Sequence, residues 1–216
     1  LQKEITAEAV LKDVDKLLKA GRAVEVVPML TRLAAQKLPV ALQQRILLKL
    51  ASAYYLLRDN QQALEQYQQF LLKYPDSPSI PEVLNKIGRL HLRRQDLVAF
   101  LKIYAQLRTK YPQNRYTAEA IRLKGKELAQ QGKLKEALVE FTMFRQLFPN
   151  HALASDVLWN IGWANYQLRQ YDAALKAFEQ LVRTPRRSAQ QEEVLYWSGK
   201  TAEQVQRYAQ AWDYYL

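Results

Sequence analysis

The chain has 216 residues, with 32 lysines and arginines against 21 aspartates and glutamates, a formal charge of +11, and 49% apolar residues. It has no cysteine, which excludes disulfides and thiolate metal sites, and no stretch reaches the roughly 18 uninterrupted apolar residues of a membrane span. The basic excess favours anionic partners without naming one, whether nucleic acid, anionic cell-wall polymer or acidic peptide.

One spacing organises the chain. Ala51, Gly88, Gly125, Gly162 and Gly199 each stand 37 positions after the last. Twelve residues after each comes Ala63, Phe100, Ala137, Ala174 or Ala211, and sixteen after each an aromatic: Tyr67, Tyr104, Phe141, Phe178 or Tyr215. A period this strict means stacked repeats rather than one closed globule.

In chain order, the first unit (7–43) is the weakest copy. Counting back from Ala51 gives Val14, with Gly21 at the turn position that Gly132 holds later. Val26 and Leu30 replace the alanine and the aromatic, and Pro39 falls one place late, as expected of a capping repeat. The next two units (44–80 and 81–117) end in Tyr74-Pro75 and Tyr111-Pro112. In the second of them Phe100 takes the alanine position with Ala99 beside it, which predicts a slightly rotated helix. Unit 118–154 carries the full set and ends at Pro149.

Unit 155–191 shows the pattern most plainly. Leu158, Ile161, Trp163, Ala164 and Leu168 form a helical apolar stripe. The segment Arg169 to Asp172 interrupts it, and Ala174, Leu175, Phe178, Leu181 and Val182 form a second stripe. The glycine inside the first helix costs roughly 1 kcal/mol against alanine, so its recurrence needs a reason, and close approach of the partner helix supplies one. The alanine fits that contact, the aromatic fills the gap to the next hairpin, and the proline stops the second helix. Pro185 misses its place by one. Glu192-Glu193 reads as the acidic first turn of a helix, and the last unit (192–216) breaks off within its second helix. The opening Leu1-Gln2-Lys3-Glu4 and this broken unit predict a trimmed piece that continues into, or docks on, a further domain after Leu216.

The architecture expected is therefore all-α: a single domain over 1–216 of six helical hairpins with period 37. Gly162, Tyr171, Ala174 and Phe178 match the tetratricopeptide repeat residue by residue, as do Gly125, Gly132, Ala137, Phe141 and Pro149, and Gly199, Tyr208, Ala211 and Tyr215. The chain resembles that family along most of its length, and the resemblance implies a right-handed superhelical solenoid. The usual period is about 34, so the surplus lies between the proline and the next glycine, as a longer turn or an extra turn of the first helix.

No catalytic constellation is present. His91 and His151 lie in different repeats; the first reads as a packed helix residue, the second as an exposed turn residue. No Gly-rich phosphate loop, Gly-x-Ser-x-Gly or His-Glu-x-x-His occurs. Neither catalytic residue, metal nor cofactor is expected. Binding is the natural role, and the family resemblance implies that first helices line a concave groove. Its inward positions fall on Arg45, Ser52 and Tyr55; Asn85, Arg89 and Arg93; Arg122 and Lys126; Trp159, Trp163 and Tyr166; Tyr196, Lys200 and Glu203. The middle of that groove would be basic and its later part aromatic, suited to an acidic or glycan-bearing chain. Arg183, Arg186 and Arg187 form a separate, solubilising loop cluster.

The runs Trp159-Asn160-Ile161-Gly162-Trp163-Ala164-Asn165-Tyr166 and Tyr171 to Phe178 are similar to the helical region of soluble lytic transglycosylases. So are Tyr196-Trp197-Ser198-Gly199-Lys200 and Ala211-Trp212-Asp213-Tyr214-Tyr215. That resemblance covers Asp156 to Leu216 and implies a periplasmic, peptidoglycan-cleaving parent; no Glu-Ser dipeptide is present to carry its catalytic glutamate. The Tyr-Pro endings also resemble envelope adaptor repeats that assist outer-membrane assembly or coordinate cell division. The expected partner is thus a protein or peptide, or anionic peptidoglycan. Nucleic acid is not expected, because the inward set is not periodic in residue type as base-reading repeats require.

Overall fold

A computed structural model describes residues 2–184 and 188–216, and all regular structure among them is helical. In order the helices are α1 (Gln2–Lys19), α2 (Ala23–Ala34), α3 (Val40–Leu56), α4 (Asn60–Lys73), α5 (Ile80–Arg93) and α6 (Leu97–Lys110). They continue with α7 (Arg115–Gln130), α8 (Leu134–Leu147), α9 (Ala154–Gln167), α10 (Tyr171–Val182), α11 (Ser188–Gln204) and α12 (Tyr208–Tyr215). Successive pairs are the expected hairpins. The chain divides into two compact units, Leu1–Ala105 and Gln106–Leu216, and the division falls within α6.

Six left-handed residues set the hairpin turns: Gly21, Arg58, Gln95, Gly132, Arg169 and Gln206, all with φ between 59° and 76°. They recur every 37 positions, so the period is visible in backbone dihedrals as well as in side chains. Each turn closes the first helix with the same two bonds. In the α9–α10 turn, Arg169 N–H donates to the Tyr166 carbonyl at 3.0 Å and Gln170 N–H to the Asn165 carbonyl at 2.9 Å. Only Gly21 and Gly132 occupy this conformation without a side-chain penalty. The proline stops also stand where expected, with α4, α6 and α8 ending two residues before Pro75, Pro112 and Pro149. Pro185, Arg186 and Arg187 lie outside the described residues.

The three extra residues per repeat take both expected forms. The connections before α5 and α9 span 74–79 and 148–153, whereas that before α7 spans only 111–114 and α7 is correspondingly longer. α11 begins at Ser188, so Glu192 and Glu193 fall in its second turn and not in the first.

In the first unit, Ala7, Leu11 and Val14 of α1 pack with Val26, Leu30 and Leu33 of α2 and with Leu42, Ile46, Leu50 and Ala53 of α3. Val26 and Leu30 are wholly buried, so the aliphatic substitutes fill the slots that the sequence assigns them. Phe100 is buried while Ala99 is only half-buried, so the α6 slot holds the larger residue. Ion pairs tie α1 to α3, with Arg45 to Glu8 at 2.5 Å and Lys49 to Asp15.

The second unit shows what the signature glycine is for. A methyl group on Gly125 would come within 2.5 Å of the Phe141 ring, and one on Gly162 within 2.5 Å of Phe178. Gly199 faces Tyr215 in the same way. The aromatic therefore lies over the glycine of its own hairpin. This corrects the expectation that the alanine makes the contact while the ring spans to the next hairpin. Leu158, Ala174, Phe178, Leu181 and Val194 are buried together around this lock.

Candidate binding surface

The predicted groove residues fall in both units, so each set is described within its own. In the first unit, Tyr55 in the last turn of α3 meets two cations from α5. The Arg93 guanidinium lies 3.8 Å from the ring centroid and the Lys86 ammonium 5.0 Å. Arg93 also donates to the Tyr55 carbonyl at 3.3 Å, an acceptor it shares with the Arg58 N–H of the hairpin turn. Arg89 lies one turn from both cations on the same face of α5, half-buried. Ser52 sits on the neighbouring turn of α3, its hydroxyl 3.3 Å from that of Tyr67. Burial pushes the Tyr67 hydroxyl up to about 12. Asn85 is buried in α5 and presents no surface.

The second unit holds the larger set. α7, α8 and α9 enclose a groove of about 280 Å³ lined by Lys126, Gln130, Leu134, Asn160, Trp163 and Gln167, among others. It is smaller than the roughly 300–1,000 Å³ of cofactor-sized sites, and fits side chains of a bound segment better than a whole small molecule. Arg122 does not take part freely. It is 13% exposed and donates to Asp156 at 2.9 Å, a bond from α7 to α9. Lys124 is likewise held by Glu140 at 2.6 Å. Lys126 is different: no ion-pair partner for it exists among the described residues.

Beyond the groove the rings interlock. Trp163 stacks on Tyr166 with centroids 5.8 Å apart and planes 5° apart, and Trp197 of α11 stands edge-on to both, at 4.6 Å and 5.3 Å. Tyr171 meets Tyr166 at 5.4 Å. Burial raises the Tyr166 hydroxyl above its ordinary range. Tyr196 remains half exposed beside Trp197 and Tyr215. Lys200 is paired with Glu203 at 3.3 Å, which raises the ammonium. Burial first and Glu203 second raise Tyr215.

Trp159 stands apart from the rest. Its indole packs 5.4 Å from Phe178 within the hydrophobic cluster, as a strut of the core. His91 is a half-buried helix residue 3.5 Å from Asp96. His151 is not the exposed turn residue expected: it is half-buried edge-on to Phe144 and Phe148, and its Nδ1 accepts from the Leu153 N–H at 3.1 Å. Among the described residues, no group of three or more His, Asp or Glu could hold a metal, and no helix is long and apolar enough to cross a membrane.

Stacked αα-hairpins with a glycine–aromatic lock and a 37-residue register now have a counterpart among known families. Residues 48–115 and 156–184 match models of the tetratricopeptide repeat. In those two stretches the hairpins are similar to tetratricopeptide repeats. No curated protein matches the sequence, but solved structures share the fold. PilF from Pseudomonas aeruginosa aligns with TM-score 0.72 at 14% identity, covering 99% of this chain and 90% of its own. The C-terminal part of a tetratricopeptide repeat-containing protein from Cytophaga hutchinsonii gives 0.71 at 16% identity, over 94% and 76%. A tetratricopeptide repeat protein from Parabacteroides merdae gives 0.67 at 14% identity, over 99% and 78%. At these identities the likeness is one of fold.

Proposed function

We propose that the chain is a non-catalytic scaffold whose α7–α9 groove holds an extended, acidic segment of a protein partner. One observation carries this reading. Arg122, Lys124 and Lys200 are neutralised by Asp156, Glu140 and Glu203, whereas Lys126 has no ion-pair partner among the described residues and lines one groove with Trp163. An ammonium and an indole lining one groove suit a carboxylate side chain followed by an apolar one. The overall charge of +11 would draw such a segment in.

The test is an array of synthetic peptides alternating glutamate and leucine, set against the same peptides with lysine for glutamate. Retention should be confined to the glutamate series and drop about tenfold with Lys126→Glu and with Trp163→Ala. Equal retention of both series, or of both variants, would overturn the reading.

A second reading rests on the resemblance of Asp156–Leu216 to the helical region of soluble lytic transglycosylases. The chain would then be the repeat region of a periplasmic envelope enzyme, with the Trp163, Tyr166 and Trp197 rings turned to peptidoglycan sugars. A stand-alone envelope adaptor is the corresponding protein-binding version. Retention on purified peptidoglycan sacculi, lost with Trp163→Ala but kept with Lys126→Glu, would favour glycan over peptide.

A further inference from the structure

The first unit carries a cluster that the peptide groove leaves unexplained. Lys86 and Arg93 both lie against Tyr55, at 5.0 Å and 3.8 Å, and neither has a carboxylate partner among the described residues. Cations of this unit that do have such partners include Lys16 with Asp13, Arg22 with Glu25, Arg45 with Glu8 and Lys49 with Asp15. The two cations lie seven residues apart on α5, opposed by Glu82 one turn before Lys86. That short stretch of helix is therefore net positive.

The cluster is oriented by contacts within the unit although Arg93 is exposed. Tyr55 is half-buried, and Arg93 is fixed by stacking on its ring and by donating one Nη1 hydrogen to its carbonyl. A guanidinium has five N–H donors, so most remain for a ligand. A planar fork and a compact ammonium held against one ring suit a phosphate group, where the fork fits two oxygens and the ammonium adds a point charge. The aromatic ring beneath keeps the guanidinium oriented before anything binds, which lowers the ordering cost of binding.

We propose that Lys86, Arg93 and Tyr55 form an anion subsite for a dianionic phosphate group within the first unit, an inference that does not rest on the peptide groove. The phosphate could be a free ion or could sit on a partner's side chain, and the experiment distinguishes the two. The whole chain is titrated with inorganic phosphate, with sodium acetate at matched ionic strength, and with a phosphoserine peptide and its unphosphorylated counterpart. Amide shifts in α3 and α5 are followed by NMR.

Saturable shifts with inorganic phosphate, absent with acetate, are expected if the free ion suffices. Shifts from the phosphoserine peptide alone assign the phosphate to a partner side chain. Arg93→Gln and Lys86→Gln should each weaken the effect about tenfold, while Lys102→Gln, a charge-matched control on α6, should leave it unchanged. Melting temperatures of the variants separate lost binding from lost folding. Acetate shifts equal to those of phosphate, or full retention in the folded Lys86→Gln and Arg93→Gln variants, would overturn the assignment.

Discussion

In residues 106–216 the signature glycine cannot accept a side chain, whereas in residues 1–105 its counterpart already has one or could take one. Gly125 and Gly162 are covered by the Phe141 and Phe178 rings so closely that a methyl group would clash at 2.5 Å. Ala51 occupies the same register position in α3 with its methyl wholly buried, and Tyr67 is still 1% exposed. A methyl group on Gly88 would meet Phe100 and Ile103 at 3.4 Å, an ordinary contact. The difference follows from the residue twelve positions on. Where it is alanine after a glycine, the helices close and the aromatic sixteen on lies against the backbone. Where it is Phe100, the ring itself fills the space beside Gly88 without pressing on it. The helix starts differ too. Asp59 and Asp96 cap α4 and α6 in the first unit, accepting from Gln62 and Ala99, whereas α8, α10 and α12, like α2 of the degenerate first hairpin, have no side-chain cap. One repeat signature thus covers two ways of closing a hairpin.

The largest expected effect falls on the locked pair. Phe178→Ala should cost about 4 kcal/mol in urea unfolding, the range for emptying a fully buried aromatic site. Gly162→Ala should cost about 2 kcal/mol net, since overpacking outweighs the gain in helix propensity. The decisive quantity is the coupling. In the double variant the added methyl enters the space left by the ring, so its cost should vanish or reverse. Additive losses would mean that the ring does not hold the glycine in place.

Tyr67 sharpens the contrast from the other side, because its hairpin carries Ala51 at the register position and its hydroxyl lies 3.3 Å from that of Ser52. Burial raises its folded pKa from about 10 to about 12. A raised value means that the stabilisation is complete below pH 10 and is lost as pH rises from 10 to 12, because the unfolded chain ionises first. That loss amounts to about 3 kcal/mol. The difference in stability between the native chain and Tyr67→Phe should therefore be small at pH 8 and shift in favour of the variant by this amount at pH 12. A difference independent of pH would show that the hydroxyl is solvated in the fold.

The fold was legible because its period is written in small residues, aromatics and prolines that pattern-reading registers. Four of the six left-handed turns were not, because Arg58, Gln95, Arg169 and Gln206 carry none of the glycine signal by which Gly21 and Gly132 announce themselves. The surface was legible only in part. Register places Tyr55, Arg93, Lys126 and Trp163 on first helices, and the structure brings Tyr55 against Arg93 and Trp163 into the groove with Lys126. Register cannot tell which side chains a neighbouring repeat has already claimed. Arg122 is taken by a carboxylate 34 residues on, and Trp159 by the core. Lys86 was missed for the complementary reason: it lies one turn before Arg89 on the same face, but family inward positions skip it.

The smallest effect is the most discriminating test of the comparison. Gly88 sits in the middle of α5 with its backbone helical and room for a methyl group at 3.4 Å from both neighbours. Alanine there should gain the propensity difference of up to about 1 kcal/mol and lose little to packing. Gly88→Ala is thus expected to raise the unfolding midpoint slightly, opposite in sign to Gly162→Ala at the same register position. Gly199→Ala should fall between them, because Tyr215 is 42% exposed and its ring can swing aside. An ordering set by side-chain confinement would tie the lock to the partner ring. Three equal losses would instead trace the glycines to a common backbone demand, and the distinction between the two units would dissolve.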